Sequence, residues 1–142
     1  DLITIIHNLP LCAIHGNNEP DSVKLLYQQR DISVHFNPEK LATDDDAYEV
    51  VGVGYGDAFP TDPQFAKDKI LLTHEPPRAS SLRQMESIEL PNAPLIHFAG
   101  HLHTIAQIRQ LKSTIFVQVP SAMFNRCATL ELPSKIIRFV NF

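Results

Sequence analysis

The sequence predicts an α/β fold, a β-sandwich flanked by helices, and three observations carry that expectation. Short apolar runs bounded by Gly or Pro recur at 11–15, 69–73 and 95–99, and such runs suit strands buried on both faces. Helix-period segments lie between them. Beyond residue 113 the pattern changes to alternation of polar and apolar residues, broken at Pro120-Ser121 and Pro133-Ser134, which suits antiparallel strands with one exposed face.

Each element has its own justification. Leu2, Ile5 and Ile6 follow i, i+3, i+4 spacing, so residues 1–8 read as the end of a helix. Residues 11–15 read as a strand. Pro20 suits a first helical turn, where its missing N–H costs nothing, and Val23, Leu26, Tyr27 and Arg30 give one face of a helix over 20–30. Ile32 to Phe36 alternates as a strand, and Tyr48 to Val53 is another that ends in glycines. Residues 55–68 are rich in Pro and Asp and read as a surface loop. A buried strand follows at 69–73. Leu82, Met85 and Ile88 give residues 79–90 a helical face suited to core packing, or alternatively to a lid over the site. Strands are then expected at 95–99, 114–119, 126–132 and 135–142.

Composition sets limits. The chain has 142 residues, 44% of them hydrophobic, which is enough for one domain with a real core. The net charge is −4 with both signs scattered, so no basic stripe for a nucleic-acid duplex is expected. A small phosphorylated substrate remains compatible with that charge if bound cations reverse the local field. Asp44-Asp45-Asp46 reads as a solvated turn. Cys12 and Cys127 lack zinc-ribbon spacing and read as buried free thiols, which suits a reducing, cytoplasmic compartment. No apolar run approaches the roughly 20 residues of a membrane span.

The three buried runs each end in potential metal ligands. The first leads into Gly16-Asn17-Asn18-Glu19, the second into Thr73-His74-Glu75-Pro76-Pro77, and the third into Gly100-His101-Leu102-His103. In α/β proteins, sites assemble where strands end, and imidazole is the commonest transition-metal ligand. Gly16 and Gly100 are expected to allow sharp turns at strand ends, and Pro76-Pro77 to stiffen the loop that carries His74. The four residues Asn17, His74, His101 and His103 are therefore expected to converge on one small volume.

These blocks, in this order, resemble those of the calcineurin-like metallophosphoesterases: Gly-Asn-His-Asp/Glu, an isolated His, and Gly-His-x-His. The resemblance spans residues 16 to 103 and implies a metallophosphoesterase-type sandwich. It implies two divalent ions (Mn, Fe, Ni or Zn) that share a hydroxide aimed at phosphorus. Asn17, His74 and His101 would serve one ion and His103 the other. Two earlier blocks of the family, Asp-x-His and Gly-Asp, do not occur before Gly16. The expectation is thus an N-terminally truncated domain over 1–142, lacking a βαβ-sized piece of roughly 30 residues or more, and inactive as it stands. Gly56-Asp57 follows Asn17 within a turn-rich stretch and reads as a turn rather than that block.

Asn18 departs from the family, which usually has His there to protonate the leaving group. Asn can donate a hydrogen bond to phosphate but supplies no titrating proton. Glu19 matches the acid that normally orients that His. Asn18 and Glu19 are the candidate catalytic residues. Three functions compete: a phosphodiesterase, a catalytically weak scaffold that binds a protein partner, and an unrelated mononuclear zinc hydrolase using His74, His101 and His103. Retention of four ligands favours the first, and Asn18 favours the second. The third lacks any His-Glu-x-x-His pattern. His97 lies inside a strand and reads as a hydrogen-bonded core residue. His7 and His35 read as structural or exposed; His15, which immediately precedes Gly16 and could reach the cleft, is not counted among the ligands.

Overall fold

The structure is a computed structural model that describes residues 11–32, 39–42, 47–77 and 93–142. The expected helices at 1–8 and 79–90, most of the strand at 32–36, and the Asp44–Asp46 turn lie outside the described residues. What is described is a mixed α/β fold rich in sheet. In chain order it contains α1 (Asp21–Gln29), β1 (Glu39–Ala42), β2 (Ala47–Val53), β3 (Ile70–Thr73) and β4 (Ile96–Ala99). Then come β5 (Gln107–Leu111), β6 (Thr114–Gln118), β7 (Arg126–Glu131) and β8 (Ile136–Asn141). The first six strands form one sheet in the order β1-β2-β3-β4-β6-β5, and β7 and β8 form a separate antiparallel pair.

Strands β2, β3, β4 and β6 run parallel, with Val50, Ile70, Ile96 and Ile115 in one cross-strand row. β1 and β5 close the two edges as antiparallel partners. Both faces of the parallel run are covered, which explains its unbroken apolar sequence. On one face Val50, Ile70, Ile96 and Val117 form a cluster. Ala128, Leu130, Leu132, Ile137 and Phe139 of the β7–β8 segment pack against it. On the other, Val51, Val53 and Leu71 pack with Phe65 and Ala66. Leu71, Ile96 and Val117 are fully buried, and burying each such side chain contributes about 1.5–3 kcal/mol.

That second cluster revises the reading of 55–68. The segment is not simply a surface loop, because its Phe65 and Ala66 seal one face of the sheet. Asp62 sets up the turn that aims them inward. Its carboxylate accepts from Gln64 N at 2.9 Å and its carbonyl from Phe65 N at 3.1 Å.

Helix α1 falls close to its expected place. Pro20 is its N-cap rather than part of its first turn, with φ −64° and ψ 157°. Asp21 complements the helix dipole at that end. At the other end Ile32 N bonds to Tyr27 O and Asp31 N to Gln28 O, each at 3.1 Å. That pair of bonds is a Schellman cap, with Asp31 at φ 53° where glycine is more usual. The chain then returns so that Ala13 N donates to Ile32 O at 2.7 Å. Residues 11–15 do not form a full strand; Ala13 makes an isolated bridge.

The C-terminal alternation is realised in part. β8 and the second half of β7 alternate between partly buried and exposed positions, as antiparallel strands with one wet face do. β6 does not. It lies between β4 and β5, with Thr114, Phe116, Val117 and Gln118 all buried. Its polar residues are satisfied internally: Thr114 Oγ1 donates to Pro94 O at 2.7 Å, and Gln118 Nε2 to Ala99 O at 3.1 Å. Both cysteines are free thiols, half-buried rather than buried. Burial and then the charge of Glu39 push the Cys12 thiol up. No helix among the described residues is long and apolar enough to cross a membrane.

Candidate functional site

Because β2, β3 and β4 are parallel and in register, their C-terminal ends share one edge of the sheet. Val53, Thr73 and Ala99 are aligned across them. The residues that follow are Gly54, His74 and Gly100-His101. The 11–15 segment reaches the same edge, where Tyr55 N donates to His15 O at 3.1 Å.

His74 and His101 meet there. His74 Nε2 and His101 Nδ1 are 3.2 Å apart, with ring centroids at 5.1 Å. Two nitrogens bound at about 2.0–2.1 Å to one tetrahedral ion lie about 3.3 Å apart, so the pair already has the spacing of one edge of a coordination shell. Burial, then the neighbouring His101, holds the His74 pKa below the usual imidazole value, while Glu19 and Glu75 oppose that shift. The neutral imidazole this favours is the form that binds metal.

The backbone that presents His101 is unusual. His101 has φ 64°, in the left-handed region that non-glycine residues seldom occupy. Gly100, where that freedom was expected, does not; Gly56 is the described glycine with positive φ, at 77°. Leu102 N folds back to Gly100 O at 2.7 Å, and Gly100 N donates to His74 O at 3.0 Å. Buried Gln118 fixes the turn from below by donating to the carbonyls of Ala99 and Gly100. A strained conformation held by several bonds costs on the order of 1–3 kcal/mol and is characteristic of functional sites.

Gly16 also acts otherwise than expected. Its φ is ordinary, but a Cβ there would lie 2.7 Å from the His74 ring and 2.7 Å from Glu19 Oε2. Glycine is required by close approach, not by torsion. Gly16 N donates to Glu19 Oε2 at 2.6 Å, so the Glu19 carboxylate closes the 16–19 turn beside His74. Asn17 and Asn18 project from that turn, both exposed.

His103 is exposed and near enough for its charge to depress the His74 pKa. It also borders a pocket with Thr104, Pro120, Phe124 and Arg126. The structure thus brings His74 and His101 into contact and sets Gly16 and Glu19 against them. Asn17 and His103 lie on flanking turns. Among the described residues, no group of three His, Cys, Asp or Glu side chains stands ready as a metal cage.

Three residues join this edge that the sequence reading did not place in the site. The Tyr55 ring meets His74 edge-on, with centroids 5.6 Å apart. His15 Nε2 pairs with Asp57 Oδ2 at 3.0 Å. A Cβ at Gly54 would overlap the His15 ring, and Gly56 with positive φ turns the chain to bring Asp57 back. The Gly-x-Gly spacing around Tyr55 was the available signal. His97 is a core residue, as expected: it is 1% exposed, bonded to Thr73 and packed edge-on against Phe116.

No family model matches the chain, and no curated protein matches it. Solved structures do share its fold. TT1561 of Thermus thermophilus superposes with a TM-score of 0.57 at 16% identity, over 85% of this chain and 63% of that one. A second solved structure matches with a TM-score of 0.57 at 15% identity, over 91% of this chain and 64% of its own. The chain therefore spans just under two thirds of either neighbour. At such identities the likeness concerns the fold.

Proposed function

We propose that this chain is a metal-dependent hydrolase of phosphoric esters of the calcineurin-like metallophosphoesterase kind, acting as a phosphodiesterase. The observation that carries the reading is the His74–His101 contact of 3.2 Å at the ends of adjacent parallel strands. The ordered Gly-Asn, His and Gly-His-x-His blocks support it. On this reading residues 1–142 belong to one sandwich domain of that family's type, and the substrate is a small phosphorylated molecule.

Asn17, His74 and His101 would hold one divalent ion, and His103 would contribute to a second. When bound, such ions neutralise charge on phosphoryl oxygens and lower the pKa of an attacking water. The remaining work falls to the chain. The Asn18 amide would donate a hydrogen bond to a phosphoryl oxygen, and Glu19 keeps the Asn17–Asn18 turn in shape through Gly16 N–H. With no titrating group at position 18, the leaving group takes its proton from solvent, so esters with acidic leaving groups are favoured.

Asn18 also supports a second reading, a scaffold of the same fold that binds a protein partner and does little chemistry. Elemental analysis and hydrolysis of bis(p-nitrophenyl) phosphate separate the two. In a chain that also carries the Asp-x-His and Gly-Asp blocks, the hydrolase reading expects bound transition metal, turnover, and loss of both in His74→Ala and His101→Ala. Metal without turnover supports the scaffold. Absence of metal, or variants as active as the parent, refutes the metal-site reading.

A further inference from the structure

Next to His103 lies a pocket of about 160 Å³, lined by His103, Thr104, Pro120, Phe124 and Arg126. His103 apart, its lining belongs neither to the ordered sequence blocks nor to the chemistry above. Its walls are fixed without a ligand. Ser121 N donates to His103 O at 2.8 Å, which clips the 120–126 segment to the His101–His103 turn. Ser121 Oγ accepts from Met123 N at 3.2 Å and starts a single 3-10 turn, Ala122–Phe124. Asn125, at φ 54°, ends that turn, and its carbonyl accepts from Phe142 N at 2.9 Å.

Two features of the lining suit a ligand. Phe124 is 51% exposed although the sheet has a well-filled core. Arg126 begins β7, half-buried, and pairs with Asn141 across the strands. Among the described residues no carboxylate forms an ion pair with it, in a chain whose net charge is −4. By contrast Arg138, on the same hairpin, is neutralised by Glu131 at 3.1 Å. An unpaired guanidinium fork suits a phosphoryl group, and an exposed ring beside it suits a flat aromatic group.

We propose that this pocket binds the non-reacting arm of the substrate, and that this arm is a nucleotide: Phe124 receives the base and Arg126 a phosphoryl group. The volume suits one ring system rather than a lipid chain. The pocket shares His103 with the candidate metal site, so an ester spanning both would present its second phosphorus to the metals. The inference deepens the phosphodiesterase reading and rests on it for which arm is bound; nucleotide binding itself does not depend on metal.

Calorimetric titration of the protein with AMP, adenosine and inorganic phosphate tests it, in EDTA and again with Mn²⁺. AMP should bind in EDTA. Arg126→Ala should weaken AMP about 10- to 100-fold, the worth of a charge-assisted hydrogen bond, and leave adenosine within about twofold. Arg126→Lys should recover part of the loss, since it keeps the charge without the fork. Phe124→Ala removes a half-exposed ring, so folding is spared, and should weaken AMP and adenosine alike. AMP affinity untouched by both variants, or no AMP binding by the parent protein, overturns the proposal even if metal-dependent diester hydrolysis is found. Arg126-dependent AMP binding in EDTA sustains the pocket even if no diester is hydrolysed with Mn²⁺.

Discussion

Replacing His97 with Gln should flatten the acid limb of the stability curve. The His97 ring is sealed in the core, and burial lowers its pKa to about 3. Thr73 Oγ1 donates its proton to Glu75 O at 2.6 Å, so it accepts from His97 Nε2–H at 2.8 Å. The folded ring is therefore neutral, with the proton on Nε2. An unfolded His has a pKa of about 6.5 and takes up a proton as the pH falls, while the folded one does not. The unfolded state binds more protons, so stability is full above about pH 7 and declines as the pH falls through 6.5 toward 3. At pH 5 the gap from the unfolded pKa is about 1.5 units, or about 2 kcal/mol at 1.36 kcal/mol per unit. His97→Gln should cost about 1 kcal/mol at pH 8 for the altered hydrogen bond but escape the titration penalty. Urea unfolding of both proteins at pH 8 and pH 5 measures this. The parent should lose about 2 kcal/mol more than the variant, so the two stability curves should cross, with the variant about 1 kcal/mol the more stable at pH 5. Curves that stay parallel would show that His97 enters the folded state protonated, contrary to the burial argument.

Three further outcomes follow from the site. Gly16→Ala should weaken Mn²⁺ binding, measured by calorimetry, because its Cβ would press on the His74 ring at 2.7 Å. Gly100→Ala meets only His74 O at 3.5 Å and should leave affinity and stability nearly unchanged, within about 0.5 kcal/mol. In a chain that also carries the Asp-x-His and Gly-Asp blocks, Asn18→His should raise turnover on diesters with poor leaving groups and change good ones little, because only the former need a proton; equal gains on both series would exclude that role for position 18.

The parallel strands were legible because burial on both faces leaves an unbroken apolar run, as in Ile70-Leu71-Leu72. The edge strands were not. β1 is Glu-Lys-Leu-Ala, without the β-branched or aromatic residues that mark strands. β5 joins β6 through Lys112-Ser113, with Lys112 at φ 52°; a hairpin turn without Gly, Asn or Asp gives no signal. The alternation in β6 was legible, yet it misled about solvent. Thr114 and Gln118 are inside, bonded to carbonyls, and nothing in their identity distinguishes that from exposure. In the site, single blocks were readable because each is local. The His74–His101 contact and the left-handed His101 depend on neighbouring strands being parallel and in register, which no local window encodes.

The double covering of β2, β3, β4 and β6 has a consequence for how the protein opens. Amide protons in strands sealed on both sides exchange with solvent only in large or global unfolding, whereas edge strands such as β1 and β5 open by fraying. His74 and His101 are attached to the sealed strands, not to the frayed ones. Hydrogen exchange should therefore find Leu71, Leu72, His97 and Phe98 among the slowest amides, a few residues from the proposed metal ligands. The imidazole pair would keep its spacing through every local fluctuation and lose it only when the whole sheet comes apart.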